Sequence, residues 1–126
     1  MLALARTPYF PHGARLPKAP SWLSKLAKEE WKRVAPALFK RGALTPEIQG
    51  SLENYCDAQG TVRECAAQIA EEGRTISGVH GMRRAHPLLA SKAQAQATAG
   101  ALAKKMGLFN EFAQAMSDDY ADLGVR

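Results

Sequence analysis

The sequence lacks the features that mark membrane, secreted and nucleotide-hydrolysing proteins. No apolar run in its 126 residues approaches the ~20 residues that a membrane-spanning helix needs. Residues 1–17 lack the apolar core and the small-residue cleavage site of a secretory signal. The phosphate loop G-x-x-x-x-G-K-[ST], the dinucleotide fingerprint G-x-G-x-x-G and the nucleophile elbow G-x-S-x-G are also absent. We therefore expect a cytosolic protein that has no membrane segment and does not hydrolyse nucleotides by itself.

Cysteine and histidine are too few and too scattered for a disulfide framework or a zinc site. Cys56 and Cys65 stand nine positions apart in one expected helix, which places them on opposite faces and ~13 Å apart along the axis. The histidines, His12, His80 and His86, follow neither C-x-x-C nor H-E-x-x-H spacing. We expect reduced, structural cysteines, no metal and no cofactor.

Paired carboxylates occur only as sequence neighbours: Glu29 with Glu30, Glu71 with Glu72, and Asp118 with Asp119. We expect each pair to lie on an exposed helix face, where its members do not converge across a cleft. A catalytic pair of carboxylates is therefore not expected.

Acidic residues are missing altogether from one long segment, residues 73–107, which holds six basic side chains. Residues 1–46 carry nine basic and two acidic side chains, residues 47–72 one and six, and residues 108–126 one and four. The net charge of +5 therefore alternates in sign along the chain. Such blocks favour surfaces that face partners of opposite charge, with nucleic acid the first candidate for the basic ones.

The two ends of the chain differ from its middle. Residues 1–20 contain four of the seven prolines and no apolar period, which predicts an extended arm made basic by Arg6, Arg15 and Lys18. Residues 109–126 are acidic and place Phe112, Met116, Tyr120 and Leu123 at helical spacing, which predicts an amphipathic C-terminal helix. Residues 21–108 remain as the helical core.

Hydrophobic periodicity predicts the first helix of this core. Apolar residues recur every three to four positions from Leu23 to Leu38, and Ser24 is the expected N-cap. Pro36 removes a backbone donor, so we expect it to kink or split this helix and leave a short second piece ending at Gly42.

The second helix has clear start and stop signals. Thr45 and Pro46 are typical of an N-cap and first helical position, and Gly73 of a C-terminus. Its apolar stripe consists of Ile48, Leu52, Tyr55, Gln59, Val62, Ala66 and Ile69. A helix of this length spans ~40 Å, more than a small domain covers from one side. We expect part of the stripe to contact another helix of the chain and part to contact another subunit.

Residues 74–86 predict a small β-hairpin, because β-branched Thr75, Ile76 and Val79 are separated by glycines. Two short strands are marginal in water, so we expect the hairpin to lean on helices or to pair with a neighbouring chain. Pro87 then begins a helix that ends at Gly107. The fold class is therefore mainly α, a helical hairpin or bundle with one small β excursion.

Several motifs in this order resemble one family, the small subunit of phage terminases. They are "PSWLSKLAKEEWKRVAPALFKRGALTPEIQGSLENYC", "EEGRTISG" and "HPLLASKAQAQATAGALAKKMGL", within residues 20–108. The C-terminal "FNEFAQAMSDDYADLGVR" departs from the family pattern. The resemblance implies a non-enzymatic subunit of the host cytoplasm that recognises double-stranded viral DNA. It also implies a ring of about eight to ten copies, which delivers the DNA to a large subunit holding the ATPase and nuclease.

Three sets of residues are candidates for these contacts. The DNA-binding candidates are basic and lie in the acid-free segment, the arm and the first helix: Arg83, Arg84, Arg74, Lys92, Arg15, Lys18, Lys25, Lys28, Lys32 and Arg33. Arg83 and Arg84 lead, because adjacent arginines beside glycines can approach phosphate in fork geometry. The candidates for an oligomer interface are apolar: Ile48, Leu52, Tyr55, Val62, Ile69, Ile76 and Val79. The acidic residues Asp118, Asp119 and Asp122 are candidates for contact with the large subunit or with a basic face of a neighbouring copy.

Three other functions remain open, the last of them an enzyme, whose thermal melting a nucleotide would change. In a dimeric transcriptional regulator, residues 24–52 would form a helix-turn-helix, but Glu47, Glu53 and Asp57 would then enter the major groove close to phosphates. A module that binds only proteins would be indifferent to DNA.

Overall fold

The computed structural model describes residues 15–108, in which three helices and one β-hairpin follow one another. The elements are α1 (Lys25–Lys40), α2 (Pro46–Glu72), β1 (Thr75–Ser77), β2 (Arg83–Ala85) and α3 (Leu88–Lys105). The mainly helical fold with one small hairpin is thus confirmed. The predicted acidic helix 109–126 and residues 1–14 of the arm lie outside the described residues. Within residues 15–108, no helix is long and apolar enough to cross a membrane.

Side-chain caps begin α1 and α2 where the sequence predicts them. The Ser24 hydroxyl accepts a hydrogen bond from the backbone N–H of Ala27 at 3.3 Å. The Thr45 hydroxyl accepts one from the backbone N–H of Ile48 at 3.2 Å. Each bond satisfies one of the donors that a helix start leaves unpaired. Gly73 ends α2 with a φ of 90°, a conformation that favours glycine.

Pro36 does not split α1. The helix runs without interruption to Lys40, so the separate second piece expected after Pro36 is wrong. Pro36 lies on the exposed side of α1, where the carbonyl that loses its helical donor can bond to water instead. Gly42 follows the helix with a φ of 72° and turns the chain toward α2.

The long helix α2 is the centre of the molecule and packs against both α1 and α3. The core consists mainly of Leu23, Ala27, Trp31, Val34, Leu38, Leu44, Leu52, Tyr55, Cys56, Ala99, Ala103 and Met106. Near the start of α1, Ala27 meets Gly60 of α2, where an added Cβ would lie 2.9 Å from the Ala27 Cβ. Beyond Gly60, α2 continues for about three turns to Glu72.

The hairpin projects from the end of the α2–α3 pair. Its strands are antiparallel and place Ile76 opposite Arg84. Its turn contains His80 with a φ of 61°, in the left-handed region. Neither strand makes extensive contact with a helix, and Val79 and Met82 are 78% and 72% exposed. Contact with the chain's own helices therefore covers only the base of the hairpin, while pairing with a neighbouring chain stays a prediction.

Candidate nucleic-acid interface

The first basic surface follows the outer face of α1. Lys25, Lys28 and Lys32 stand at steps of three and four, so they lie side by side on one face. Lys25 and Lys32 are exposed and Lys28 is half-buried. Of the two acidic residues in this stretch, only Glu29 is exposed. The face therefore carries a net positive charge in contact with solvent.

The arm lies against α1 and carries two further cations. The indole N–H of Trp31 donates to the carbonyl of Pro17 at 3.2 Å, which holds the chain before α1 against the side of that helix. Arg15 and Lys18, next to Pro17, are both exposed. A second indole bond, from Trp22 to Glu53 at 3.2 Å, ties the same segment to α2. Six of the predicted DNA-binding side chains, Arg33 included, thus lie on or beside α1.

Arg33 belongs to a different arrangement, a charge network around Glu30. Glu30 was expected on an exposed face, but it is fully buried between α1 and α2. The Glu30 carboxylate accepts two hydrogen bonds from Arg33, one of them from Nε at 2.9 Å. It also accepts one from the Tyr55 hydroxyl at 2.7 Å and one from Arg63 at 2.9 Å. The charge of Arg33 is therefore partly neutralised beside its own helix, and the Lys25, Lys28 and Lys32 face is the better phosphate surface.

Titration of the network follows from this geometry. Burial by itself raises the pKa of Glu30, but hydrogen bonds from Arg33 and Tyr55 and the charges of Arg33 and Arg63 outweigh it. The net pKa of Glu30 is lowered. Burial and the bond to Glu30 raise the pKa of the Tyr55 hydroxyl. Glu30 is thus held as a carboxylate and Tyr55 as a donor, a fixed set of roles that joins α1 to α2.

The second basic surface is the hairpin, where Arg74, Arg83 and Arg84 are all exposed. Adjacent residues of a strand point to opposite faces, so Arg83 and Arg84 do not form one fork. Arg83 instead bonds to the carbonyl of Thr75 at 3.1 Å and to its hydroxyl across the hairpin. The aliphatic part of the Arg84 side chain lies over the backbone of Gly78. Lys92, one turn into α3, is half-buried.

His86 fixes the base of the hairpin, a role that sequence reasoning missed because an isolated histidine before a proline carries no signal for it. Its ring is 5% exposed, and its Nε2 lies 2.6 Å from a carboxylate oxygen of Glu72. Its Nδ1 accepts the backbone N–H of Leu88 at 3.0 Å, and its own N–H donates to the carbonyl of Arg74 at 2.8 Å. Since Nδ1 is the acceptor, the ring proton sits on Nε2 and is donated to Glu72. Hydrogen bonds from His86 and Gln68 lower the pKa of Glu72.

The predicted oligomer-interface residues divide into two groups. Leu52, Tyr55 and Ile69 are buried inside this chain, because α1 and α3 cover that part of the α2 stripe. Ile48, Val62 and Ile76 are half-buried, and Val79 is exposed. Of the predicted interface residues, only Ile48, Val62, Ile76 and Val79 are therefore accessible to a second chain. The acidic candidates Asp118, Asp119 and Asp122 lie outside the described residues.

Within residues 15–108, no group of three or more histidine, cysteine or acidic side chains is placed to hold a metal ion. Cys56 and Cys65 are both buried and free, which confirms that they do not bridge each other. Burial, together with the charge of Glu30, raises the pKa of the Cys56 thiol to about 12. Cys56 is therefore a packed thiol without thiolate character at neutral pH.

These observations define a class, a small mainly helical protein with two basic surfaces on one chain. The sequence model of the family described as phage terminase, small subunit, matches residues 27–116, more than two thirds of the chain. The chain therefore belongs to the phage terminase small subunit family, and its role lies in phage DNA packaging. No curated protein and no solved structure matches it significantly.

Proposed function

We propose that this chain is the DNA-recognising subunit of a packaging machine. In this proposal several copies assemble into a ring, bind double-stranded viral DNA and deliver it to the large terminase subunit, whose ATPase and nuclease they modulate. The chain itself catalyses no reaction. The observation that carries the proposal is the solvent-facing lysine face of α1, formed by Lys25, Lys28 and Lys32. The segment that Trp31 holds beside α1 carries two further exposed cations, Arg15 and Lys18. Family membership supplies the packaging context.

The chemistry of that surface suits phosphate better than base edges. Its cations are mainly lysines, which bind phosphate as point charges. Each phosphate neutralised by a lysine releases counterions, so binding weakens steeply as salt rises. A ring repeats the surface in every copy, and linked weak sites on one DNA molecule add up to strong binding.

The other candidates keep secondary roles in this proposal. Arg74, Arg83, Arg84 and Lys92 form a second basic surface at the hairpin and the start of α3. Asp118, Asp119 and Asp122 are proposed to contact the large subunit or a neighbouring copy.

The test compares two triple variants with the same loss of charge. K25Q/K28Q/K32Q removes the α1 lysines, whereas K40Q/K104Q/K105Q removes three exposed lysines at the C-terminal ends of α1 and α3. Binding to a fluorescent duplex is measured by anisotropy at several salt concentrations. Log affinity falls as log salt rises, and the first variant should make this negative slope shallower by up to about 3. The control should keep most of the wild-type slope.

Equal losses in both triple variants would reduce the effect to net charge and would remove the assigned surface. Native mass spectrometry of the same proteins reports the assembly separately, and the lysine changes on α1 should leave the number of copies unchanged. A wild-type protein that binds no duplex at low salt would refute DNA recognition by this subunit.

A further inference from the structure

The hairpin tip presents apolar side chains that nothing in the described chain covers. Val79 and Met82 are 78% and 72% exposed, in a two-stranded hairpin whose strands contact mainly each other. Two strands alone are at best marginally stable in water, and methionine adapts its shape to irregular surfaces. The tip is therefore suited to insertion between side chains of a partner.

A shallow groove on one side of the α2–α3 pair has the complementary character. Its floor is formed by Ala58 and Ala95, which are nearly buried. Small and polar residues line its walls: Asp57 and Thr61 from α2, and Ser91, Gln94 and Thr98 from α3. Short side chains on both walls leave space above an apolar floor, a surface that suits contact with apolar side chains.

The charges of the two surfaces are opposite. Asp57, Thr61, Glu64 and Gln68 follow at steps of four, three and four, so they share the groove side of α2. Asp57 and Glu64 are both exposed, and no lysine or arginine lines this groove. The hairpin, in contrast, carries the exposed Arg83 and Arg84 and no acidic residue. Docking the hairpin beside Asp57 and Glu64 brings arginines to carboxylates.

We propose that the hairpin tip of one copy docks into this α2–α3 groove of a second copy. The inference rests on the proposed assembly of several copies and names the contact that builds it. Because the contact joins two different surfaces, each copy has one tip and one groove to offer. Repetition of such a head-to-tail contact closes a ring when the rotation fits. The arginines of the hairpin then serve mainly assembly, and the lysine face of α1 is left free for DNA.

The opposite side of the α2–α3 pair offers a contrasting site within the same chain. That side is lined by Tyr55, Gln59, Val62, Gln96, Ala99, Gly100 and Ala103. Tyr55 belongs to the network that contains Arg33 and Arg63, so this side has guanidinium groups nearby rather than free carboxylates. A basic hairpin is less suited to it, which makes Gln96 a matched control position.

The experiment is disulfide cross-linking between copies of the full chain. V79C/T61C places one thiol at the tip and one in the groove, and oxidation should give a ladder of linked chains on a denaturing gel. V79C/Q96C places the second thiol on the opposite side and should give no ladder beyond that of wild type, whose own cysteines are buried. Equal ladders from the two variants, or a ladder from V79C/Q96C alone, would overturn the proposed contact.

A charge exchange tests the same contact without new thiols. D57R/E64R and R83E/R84E should each abolish the ring in native mass spectrometry, and their combination should restore it. A ring that survives both separate variants and gives no 79–61 link would assign the groove to another occupant, such as residues 109–126, and would overturn this inference alone. Wild-type protein that stays monomeric at all concentrations would overturn the proposed ring as well.

Discussion

Replacement of Glu30 by glutamine is the most direct test of what joins α1 to α2. The side chain is fully buried and accepts four hydrogen bonds, two from Arg33 and one each from Tyr55 and Arg63. Glutamine keeps the shape but removes the charge and turns one acceptor oxygen into a donor nitrogen. That nitrogen cannot accept from a guanidinium, so at least one of the three arginine hydrogen bonds is lost in either orientation of the amide.

The expected cost follows from the exposure of the partners. Removing one member of a buried ion pair costs about 3–5 kcal/mol when the remaining charge stays buried. Here the side chains of Arg33 and Arg63 are 61% and 40% exposed, so water can solvate the groups left behind. We therefore expect Glu30→Gln to lower the free energy of unfolding by about 2–3 kcal/mol, a large share of the ~5–15 kcal/mol typical of a domain.

The assay is urea denaturation at pH 7, followed through the fluorescence of the buried Trp31. The control is Glu29→Gln, which removes the same charge from an exposed neighbour and should change stability by less than about 0.5 kcal/mol. A Glu30→Gln protein within about 0.5 kcal/mol of wild type, at matched protein concentration, would refute the reasoning. So would equal losses in the two variants.

Two further predictions concern acid and close packing. Because the folded state lowers the pKa of Glu30 from its ordinary value of 4.5, the stabilisation is present above pH 4.5 and is lost as pH falls through the lower folded value. Acid titration of stability should therefore be steeper in wild type than in Glu30→Gln, and parallel curves would contradict the pairing. Gly60→Ala should destabilise by about 1–3 kcal/mol, because its Cβ would overlap Ala27. Gly50→Ala, which meets nothing within 4 Å, should be neutral or stabilise by up to about 1 kcal/mol in thermal melting, and the reverse order would refute the close approach.

Local sequence signals predicted the elements well because each of them acts over a few residues. Ser24 and Thr45 start helices through side-chain bonds to a donor three residues on, and Gly73 ends α2 through its own backbone conformation. Pro36 shows the limit of such rules. Its exposure to solvent, which tertiary packing decides, lets α1 continue through it.

The charge blocks indicated which segments are basic, but not which cations share a surface. Arg15 and Lys18 come beside α1 through tertiary contacts such as the bond from Trp31 to Pro17, between residues 14 positions apart. Arg33 was grouped with the lysines of α1, yet its partner Glu30 is held in place by Tyr55 and Arg63 from another helix. No periodicity in the sequence encodes such a pairing.

Propensity, capping and composition are properties of short segments, so the helix ends, the hairpin and the alternation of charge follow from the chain alone. The burial of Glu30, the tie from His86 to both helices that flank the hairpin, and the approach of Ala27 to Gly60 arise only when the helices pack together. These features depend on atoms distant in the chain meeting at a few ångströms, and the free energy of each depends on the burial that the whole fold creates.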